Sequence, residues 1–551
     1  MKNSKNHFSH ILIVILLFCC PATIVATEYF FHVHFTDKNN TPFSLSNPSE
    51  FLSARALERR MYFQISLDET DLPVNPEYLK QIKEQGFQIH NTSKWLNGAT
   101  ITCNDSARIT QIEQLPFIQA TKYTGKIIED KSQTISILSK SSLSDSEEGN
   151  NYGYASTQIE QVNGTYLHKL GYKGKNIHIG VIDAGFSNVD IISAFNLTRL
   201  QNRLLGTRDF VNPQSNIYKE NAHGANVFSI IAGNIEGEYI GTAPEASYWL
   251  VRTENDKSEY PMEMDFWVSA VEYLDSLGID VINSSLGYTT FDNPALNLTH
   301  DDLNGKTVRM SRAAEIASKK GIVVVNSAGN DGNKAWKKIG APADANGIIT
   351  VGAVTSEGVA STFSSFGPTS DGRIKPEVSA MGTTTAYVNS KGVTTGNGTS
   401  YSAPVFTGIM ACFLQLAKEN LSYISLPDLS EIVFKSADQY DTPTDQLGYG
   451  IPNFEKAVSI LAENFGETPT YSDNIYVYTD NLSKTLRIKF DDHSFTNAQM
   501  ILHSLEGRII LNKTLYNPEE IISTGNLPVG IYAVHIILSN GKTRTIKVII
   551  K

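Results

Sequence analysis

The sequence predicts an α/β protein built around a doubly wound, mostly parallel sheet, with a smaller α+β domain before it and a β-sandwich after it. Three observations support this prediction. Near-continuous Val/Ile runs alternate with helical segments in the middle of the chain, a serine-rich polar stretch precedes them, and short alternating segments separated by turns follow. A chain of 551 residues is too long for one hydrophobic core, so several domains are expected.

Composition narrows the class of protein. Hydrophobic residues make up 41% of the chain and charged residues 19%, which is typical of a globular protein. The formal net charge of -11 provides no basic surface, so we expect no nucleic-acid partner.

The N-terminal segment 1–26 has the pattern of a secretory signal peptide. Lys2 and Lys5 precede the apolar run Ile11–Phe18, and cleavage is expected after Val25-Ala26. The alternative is a membrane anchor, but Pro21 interrupts the segment before the roughly 20 apolar residues that a span needs. We therefore expect a secreted or cell-surface protein with no transmembrane span in its mature form.

The cysteine pattern does not predict a disulfide framework. Two of the four cysteines leave with the signal peptide, and Cys103 and Cys412 lie in different predicted domains. Cys412 is expected to be a core residue of a buried helix. No Cys/His spacing resembles a zinc site.

Residues 27–126 predict a small α+β domain, and residues 127–150 a polar linker. The expected strands are Glu28–Phe35, Leu96–Cys103 and Phe117–Tyr123. The expected helices are Asn47–Arg60, capped within Ser46–Ser49, Pro76–Gln85 and Ser106–Leu115.

Residues 151–462 alternate between strands and helices, as in a doubly wound sheet. The expected buried strands are Asn176–Asp183, Ala246–Val251, Asp280–Ser284, Ile322–Asn326 and Ile348–Val354. Crossover helices are expected at Met264–Leu277 and Thr307–Lys320, each ended by a glycine. Ligands bind beyond the carboxyl ends of such strands, where Asp183, Ser284 and Asn326–Asn330 lie.

Residues 468–551 predict a small β-sandwich of short alternating strands. The expected strands are Ile475–Tyr478, Thr485–Phe490, Ala498–Ser504, Ile509–Thr514, Gly530–Leu538 and Arg544–Ile550.

Three short motifs contain residue types that together activate a serine nucleophile. Asp183 ends a strand, His223 stands before Gly224 at the start of an apolar helix, and Ser400 lies where a glycine-containing turn becomes a helix. A serine hydroxyl needs a histidine to take its proton and a buried acid to fix the imidazole tautomer. Taken singly, each residue also has a purely structural interpretation. Asp183 is then a turn residue at a strand end, His223 a histidine that caps a helix, and Ser400 the N-cap of a helix.

The order Asp183, His223, Ser400, with Ala403-Pro404 after the serine, resembles the subtilisin-like serine proteases. This resemblance implies that Asn330, with the Ser400 backbone N–H, binds the oxyanion; otherwise Asn330 is a turn residue. It also implies that small-residue segments pair with an extended substrate, namely Ser284, Ser285, Leu286, Gly287, Ser327, Ala328 and Gly329. The chain departs from the family at Ala184, where Thr is usual, and at Asn226, where a second His is usual.

The flanking domains carry weaker resemblances. Residues 27–126 resemble the inhibitory propeptides of subtilisin-like enzymes; the alternative is an accessory domain. Residues 468–551, with Leu527–Tyr532 and Asn540–Thr543, resemble the C-terminal sorting domains of type IX secretion substrates; the alternative is an adhesive β-domain. These resemblances imply two further partners, the protein's own propeptide as inhibitor and the type IX secretion machinery.

The primary hypothesis is a secreted serine endopeptidase, made as a precursor, that acts on protein or peptide substrates through Asp183, His223 and Ser400. One alternative is a catalytically inactive surface binding protein on the same scaffold, which the departures at Ala184 and Asn226 favour. A second alternative is a peptide ligase. No cofactor is required by this chemistry. Carboxylates that could ligate a structural calcium ion are Asp190, Asp209 and Asp301.

Overall fold

The computed structural model describes residues 27–128, 152–465, 475–480, 483–490, 497–504, 507–539 and 543–550. The predicted signal peptide lies outside the described residues, as does almost all of the predicted linker.

The N-terminal domain is an antiparallel sheet with strand order β2-β3-β1-β4, packed against short helices. Its elements are β1 Thr27–Phe35, α1 Ala54–Tyr62, α2 Pro76–Glu84, β2 Gln88–Ser93, β3 Gly98–Cys103, α3 Ile109–Ile112 and β4 Ile118–Ile128. Side chains of β1 and β3 form its core together with Ile82, Phe87 and Ile112. The α+β architecture expected from the sequence is confirmed.

Helix boundaries in this domain differ from the prediction. The segment Asn47–Arg60 is not one helix, because α1 begins only at Ala54. The Ser53 hydroxyl caps it by accepting the Ala56 N–H at 3.1 Å, whereas Pro48 starts a separate short turn. The expected helix Ser106–Leu115 is reduced to α3, preceded by another short turn. Strand β2 was not predicted, because most of its residues are polar and partly exposed.

The central domain contains a fully parallel seven-stranded sheet with the order β13-β12-β11-β10-β5-β9-β6. Its elements up to β10 are α4 Ser156–Glu160, α5 Gly164–Lys169, β5 His178–Asp183, α6 Asn196–Leu200, β6 Leu204–Asp209, α7 His223–Ala232, β7 Asn234–Ile235, β8 Tyr239–Ile240, β9 Ser247–Arg252, α8 Met262–Leu277 and β10 Val281–Ser284. The remaining elements are α9 Arg309–Lys319, β11 Val323–Ser327, β12 Ile349–Val354, β13 Val378–Met381, β14 Thr385–Asn389, β15 Gly392–Gly396, α10 Thr399–Asn420, α11 Leu426–Ser436 and α12 Phe454–Phe465. The predicted doubly wound sheet is confirmed, with two further strands, β6 and β13.

Helices cover both faces of this sheet. Val181 packs in the layer that contains residues of α7 and α10, whereas the next residue, Ile182, packs in the layer that contains residues of α8 and α9. After β5 the chain passes to the edge strand β6, returns to β9 beside β5, and then crosses to β10 on the other side of β5, from which the order runs outward to β13. The direction of the strand order therefore changes between β5 and β10. A crevice forms at such a reversal, beyond the carboxyl ends of the strands. Asp183 and Ser284 end these two strands and therefore lie at that crevice.

Helix α10 is long and apolar but is packed inside the protein. Among the described residues, Thr399–Asn420 is long and apolar enough to cross a bilayer, with a mean hydropathy of 1.3. However, 89% of its apolar window is buried inside the protein, so it is the core helix of the central domain. Cys412 lies within it, completely buried, and both Cys103 and Cys412 are free thiols.

The N-terminal domain contacts α8 and α9 through a buried ionic network. Asp275 of α8 receives hydrogen bonds from the guanidinium groups of Arg59 and Arg60 and from the Lys94 ammonium group. Asp71 joins the same network through Arg60 and Lys320. These charges are almost completely buried, and the three cations hold the pKa of Asp275 below its ordinary value against the opposing effect of burial.

The C-terminal domain is a β-sandwich of a three-stranded and a four-stranded sheet that share one core. Its strands are β16 Ile475–Asp480, β17 Thr485–Phe490, β18 Ala498–Ser504, β19 Ile509–Leu515, β20 Glu519–Ser523, β21 Gly530–Leu538 and β22 Thr543–Ile550. All six predicted strands are present, and β20 is an additional one.

Candidate active site

Asp183 and His223 form a hydrogen-bonded pair at the carboxyl edge of the sheet. The Asp183 side chain is almost fully buried at the end of β5, and its Oδ1 lies 2.7 Å from His223 Nδ1. The same oxygen accepts the Ala184 N–H at 2.8 Å. The Asn221 side chain accepts the His223 N–H at 2.8 Å and so fixes the start of α7. Because Nδ1 is engaged by the carboxylate, His223 Nε2 is available to accept a proton.

Glycine at position 224 lets the two elements approach this closely. A Cβ at Gly224 would lie 2.4 Å from the Gly185 carbonyl oxygen and 2.7 Å from the Asp183 Cβ. Any larger residue would therefore separate the first turn of α7 from the end of β5. The sequence motif His-Gly thus has a steric cause in this fold.

The environment of His223 favours its protonated form. Burial opposes protonation, but the negative charge of Asp183, its hydrogen bond and the more distant Glu254 together raise the pKa of His223 to about 9. An imidazolium is therefore stabilised at this position. Stabilisation of this cation is what a base needs after it has taken a proton.

Ser400 lies in the first turn of α10, opposite the segment that follows β10. Its carbonyl oxygen cannot receive the usual helical hydrogen bond, because Pro404 stands four residues later and has no N–H. The Ser285 hydroxyl donates to this carbonyl at 3.0 Å instead, and the Ser400 hydroxyl donates to the Ser285 carbonyl at 3.3 Å. Pro404 therefore lies inside the helix and frees a carbonyl that holds the serine in place.

The hydroxyl proton of Ser400 is directed at Ser285 in this conformation and not at His223. The next residue, Tyr401, has its ring centroid 6.2 Å from that of His223, so the two helix starts are neighbours. Rotation about the Cα–Cβ bond of Ser400 is a small change, and such hydrogen bonds are often long or misaligned before substrate binds.

Asn330 is held beside the start of α10 by Thr399, a residue that the sequence analysis did not single out. The Asn330 Oδ1 atom accepts the Thr399 backbone N–H at 2.9 Å and the Thr399 hydroxyl at 3.0 Å. Because both donors fix the oxygen, the Nδ2 group is left to donate elsewhere. The Ser400 N–H belongs to the first turn, where helical N–H groups have no intrahelical partner.

The two segments expected to bind substrate lie on adjacent strand ends. The Asn326 side chain donates to the carbonyls of Leu286 at 3.1 Å and Ser327 at 2.8 Å, which ties the segments together. Gly287 is exposed, and a Cβ there would meet only the Ala341 oxygen at 3.7 Å. In contrast, Gly329 already donates to Thr399 and accepts from Ser365, so its backbone groups are occupied.

The remaining predicted residues of these segments are mostly enclosed. Ser284 is fully buried and accepts the Trp267 ring N–H at 3.0 Å, and Ala328 is also fully buried. They support the crevice wall, whereas Ser285, itself buried, contacts Ser400 and Gly287 is exposed.

Other residues make supporting contacts at Ala184 and Asn226, the two positions where the chain departs from the family pattern. The Arg252 guanidinium donates to the Ala184 carbonyl at 2.9 Å and binds Asp209 at 3.0 Å, which holds the turn after Asp183. Asn226 hydrogen-bonds the Tyr401 hydroxyl, and the Tyr401 ring stacks on Tyr387 at 5.1 Å. Neither link was predicted, because the partners are distant in sequence.

Within the described part of the chain, no group of three or more His, Cys, Asp or Glu side chains is arranged to hold a metal ion. Of the three aspartates suggested as calcium ligands, Asp209 is engaged by Arg252 and Ser215.

Comparison with known proteins identifies the family of this chain. The Subtilase family model matches residues 174–450, and a model described as the peptidase S8 propeptide domain of Bacteroidota matches residues 30–139. Subtilisin DY of Bacillus licheniformis is 32% identical over 249 residues, which is 44% of this chain and 78% of that protein. Subtilisin NAT of Bacillus subtilis subsp. natto is 28% identical over 343 residues, 60% of this chain and 74% of that protein.

A further relative is the minor extracellular protease Epr of Bacillus subtilis, 29% identical over 260 residues, or 47% of this chain and 35% of that protein. The chain belongs to the subtilase family and carries a propeptide domain of that family. It is a subtilisin-like serine peptidase.

Proposed function

We propose that this protein is a secreted serine endopeptidase that hydrolyses peptide bonds through Asp183, His223 and Ser400. The observation that carries the proposal is the 2.7 Å hydrogen bond from His223 to the buried Asp183, made beside the helix start that contains Ser400. A buried carboxylate on Nδ1 leaves Nε2 as the only site for a proton from serine.

In the proposed mechanism, Ser400 Oγ attacks the scissile carbonyl while His223 Nε2 takes the hydroxyl proton. Asp183 orients the imidazole and stabilises its cation. The Asn330 Nδ2 group and the Ser400 N–H donate to the oxyanion. His223 then gives the proton to the leaving amine, and water hydrolyses the acyl-enzyme by the same steps. The Ser400 hydroxyl must first turn from the Ser285 carbonyl toward His223.

The substrate backbone is proposed to pair with the edge at the exposed Gly287, which follows the buried Ser285 and Leu286. The open space at Gly287 supports this assignment, because a backbone can approach an exposed glycine without a steric barrier. The buried residues Ser284, Leu286, Ser327 and Ala328, with Gly329, are proposed to shape the wall behind it.

The N-terminal domain is proposed to inhibit the enzyme until it is removed. Its last strand passes the start of α8, where a Cβ at Gly125 would lie 2.6 Å from the Tyr260 Cβ. Cleavage is expected between residues 126 and 151, in the predicted linker. N-terminal sequencing of the active form tests this, and an active form that begins at Thr27 would contradict it.

Export is proposed to use the segment 1–26 as signal peptide and the domain 468–551 as a type IX sorting domain. One relative is called an extracellular protease, which supports secretion. The sorting role rests on the C-terminal motifs alone. Deletion of residues 468–551 should trap the protein before the outer surface, and normal export of the truncated chain would refute that role.

The decisive experiment for the activity is Ser400→Ala in the purified protein, assayed on casein. We expect the wild type to hydrolyse casein and the variant to lose this activity. If the folded variant hydrolyses casein as fast as the wild type, the proposed mechanism is wrong. If the wild type does not hydrolyse casein or react with a fluorophosphonate, the inactive binding scaffold is favoured instead.

A further inference from the structure

Arg252 is a buried cation beside the strand end that carries the proposed catalytic acid. It is the last residue of β9, and it pairs in register with Asp183 at the end of β5 and with Asp209 at the end of β6. Only 4% of its surface is exposed. Leu250, two residues before it on β9, packs in the layer that contains α7, so Arg252 faces that layer as well. A buried guanidinium group needs acceptors for its N–H groups, and these acceptors show which segments it holds.

The guanidinium group of Arg252 contacts three separate segments. Its Nε donates to the Ala184 carbonyl at 2.9 Å, in the turn that directly follows the acid. Its Nη1 donates to Asp209 at 3.0 Å, and its Nη2 lies 3.5 Å from the carboxylate of Glu220. Ala184 is the next residue after the acid, and Glu220 precedes His223 in the loop that leads to α7. One buried side chain therefore contacts both the segment of the acid and the segment of the base.

The two segments also pack on each other. A Cβ at Gly185 would lie 2.4 Å from the Asn221 nitrogen and 2.7 Å from its carbonyl oxygen. The Ser187 N–H donates to the Asn221 carbonyl at 3.2 Å, and the Asn221 side chain accepts the His223 N–H at 2.8 Å. A shift of the turn after Asp183 is therefore transmitted to the start of α7.

The partner that anchors Arg252 is itself fixed. Asp209 is 5% exposed, and its Oδ1 accepts the N–H groups of Val211 and Asn212 at 2.8 Å each. The Ser215 hydroxyl donates to its Oδ2, the oxygen that also binds Arg252. Because these donors fix the carboxylate, the plane of the guanidinium group is fixed as well. The remaining two contacts need the planar fork of an arginine, which the single ammonium group of a lysine does not reproduce.

We propose that Arg252 is a positioning residue that fixes the turn after Asp183 and the loop before His223, and thereby sets the orientation of the carboxylate toward the imidazole. The inference rests on the proposed peptidase function and adds a residue to the same site. Ala184 has no polar side chain, so Arg252 binds the turn only through its backbone carbonyl. Arg252 acts through the two segments and not on the substrate.

The charge-conserving variant Arg252→Lys distinguishes this role from that of a purely structural salt bridge. It keeps a positive charge beside Asp209 but loses the simultaneous contacts with Ala184 and Glu220. In active enzyme obtained from the full chain and assayed on a quenched peptide, we expect kcat to fall by about tenfold or more and KM to stay within about twofold. KM should not respond, because the substrate edge at Gly287 follows β10, on the other side of β5 from β9.

The pH profile is a second measurement that a purely structural role would not change. Burial opposes protonation of His223, but the charges of Asp183 and Glu254 raise its pKa to about 9. Poorer alignment of Asp183 weakens this stabilisation of the imidazolium, whereas Arg252→Lys conserves the net charge. The rising limb of kcat/KM against pH should therefore move to lower pH by about half a unit or more.

The matched control is Arg203→Lys, at the opposite ends of the same two strands. Arg203 precedes β6, and its guanidinium group donates to the carbonyl of Ala246, directly before β9, at 2.8 Å. This variant also loses an arginine contact with a backbone carbonyl, but at the amino edge of the sheet. It should keep the wild-type kcat and pH limb. If folded Arg252→Lys, checked by urea unfolding, also keeps both, the inference is overturned.

The variant Glu220→Ala decides the question if Arg252→Lys does not fold. The Glu220 side chain is 28% exposed, so its removal opens a solvated space and deletes only the contact with the loop before His223. We expect kcat to fall by about threefold or more while KM stays within about twofold, and a wild-type kcat would overturn the inference. Such a result in a wild type that cleaves the peptide leaves the peptidase function intact. Failure of the wild type to cleave any peptide or casein would remove both.

Discussion

The substitution Gly224→Ala tests whether the close approach of α7 to β5 sets the catalytic geometry. The added methyl group would lie 2.4 Å from the Gly185 carbonyl oxygen and 2.7 Å from the Asp183 Cβ. Both neighbours are backbone or near-backbone atoms that cannot rotate away. The start of α7 must therefore move by about 1 Å, a displacement that can lower the rate of a catalysed step about 10²-fold.

The expected result is a fall of about 10²-fold in kcat with little change in KM, because His223 moves relative to Asp183 while the substrate edge is untouched. Overpacking should also cost about 1–3 kcal/mol of the free energy of unfolding. Steady-state kinetics on a quenched peptide and urea unfolding measure the two effects. The matched control is Gly525→Ala, where the nearest atom to the new Cβ is 3.8 Å away. A folded Gly224→Ala enzyme with wild-type kcat would refute the steric reasoning.

Three further predictions concern the proton, the oxyanion and the propeptide contact. Only a neutral imidazole accepts the Ser400 proton, and the pKa of His223 is raised to about 9. We therefore expect kcat/KM to increase with pH up to about pH 9. A plot of kcat/KM against pH that levels off at or below pH 6.5 would contradict this. Asn330→Ala should lower kcat by about 10²–10³-fold, the effect known for such a donor in subtilisin, and an unchanged kcat would exclude this role. Asp275→Asn, in a Ser400→Ala precursor that stays uncut, should lower the free energy of unfolding by about 3–5 kcal/mol because three buried cations lose a counter-charge. Its control, Glu77→Gln, removes an exposed pair and should change stability by less than about 1 kcal/mol; equal effects of the two would contradict the account.

The sequence predicted the central strands well, because buried parallel strands are continuous apolar runs bounded by glycines and polar residues. It missed β6, whose residues are mostly exposed or half-buried, and β13, which is short. The sequence also predicted that the first helix begins at Asn47, whereas α1 begins at Ala54. The segment Pro48–Glu50 forms a separate short helical turn, and Ser53 then caps α1. Such local competition between a turn and a helix is decided by tertiary contacts.

The same limit applies to the site. Residue types and their order indicated Asp183, His223, Ser400 and Asn330, because each stands at a recognisable strand end or helix start. The supports were not predictable: Thr399 on Asn330, Arg252 on Ala184 and Ser285 on Ser400 join positions about 69, 68 and 115 residues apart. Only Pro404 gave a local signal, because a missing N–H four residues after Ser400 leaves a carbonyl that needs another donor.

The most direct test of the central proposal is to map the site of fluorophosphonate reaction by peptide mass spectrometry. A serine activated by His223 should carry the adduct at Ser400, and His223→Ala should abolish labelling while Ser400 is still present. An adduct on another residue, or labelling of Ser400 at the wild-type rate in folded His223→Ala, would contradict the proposed catalytic arrangement.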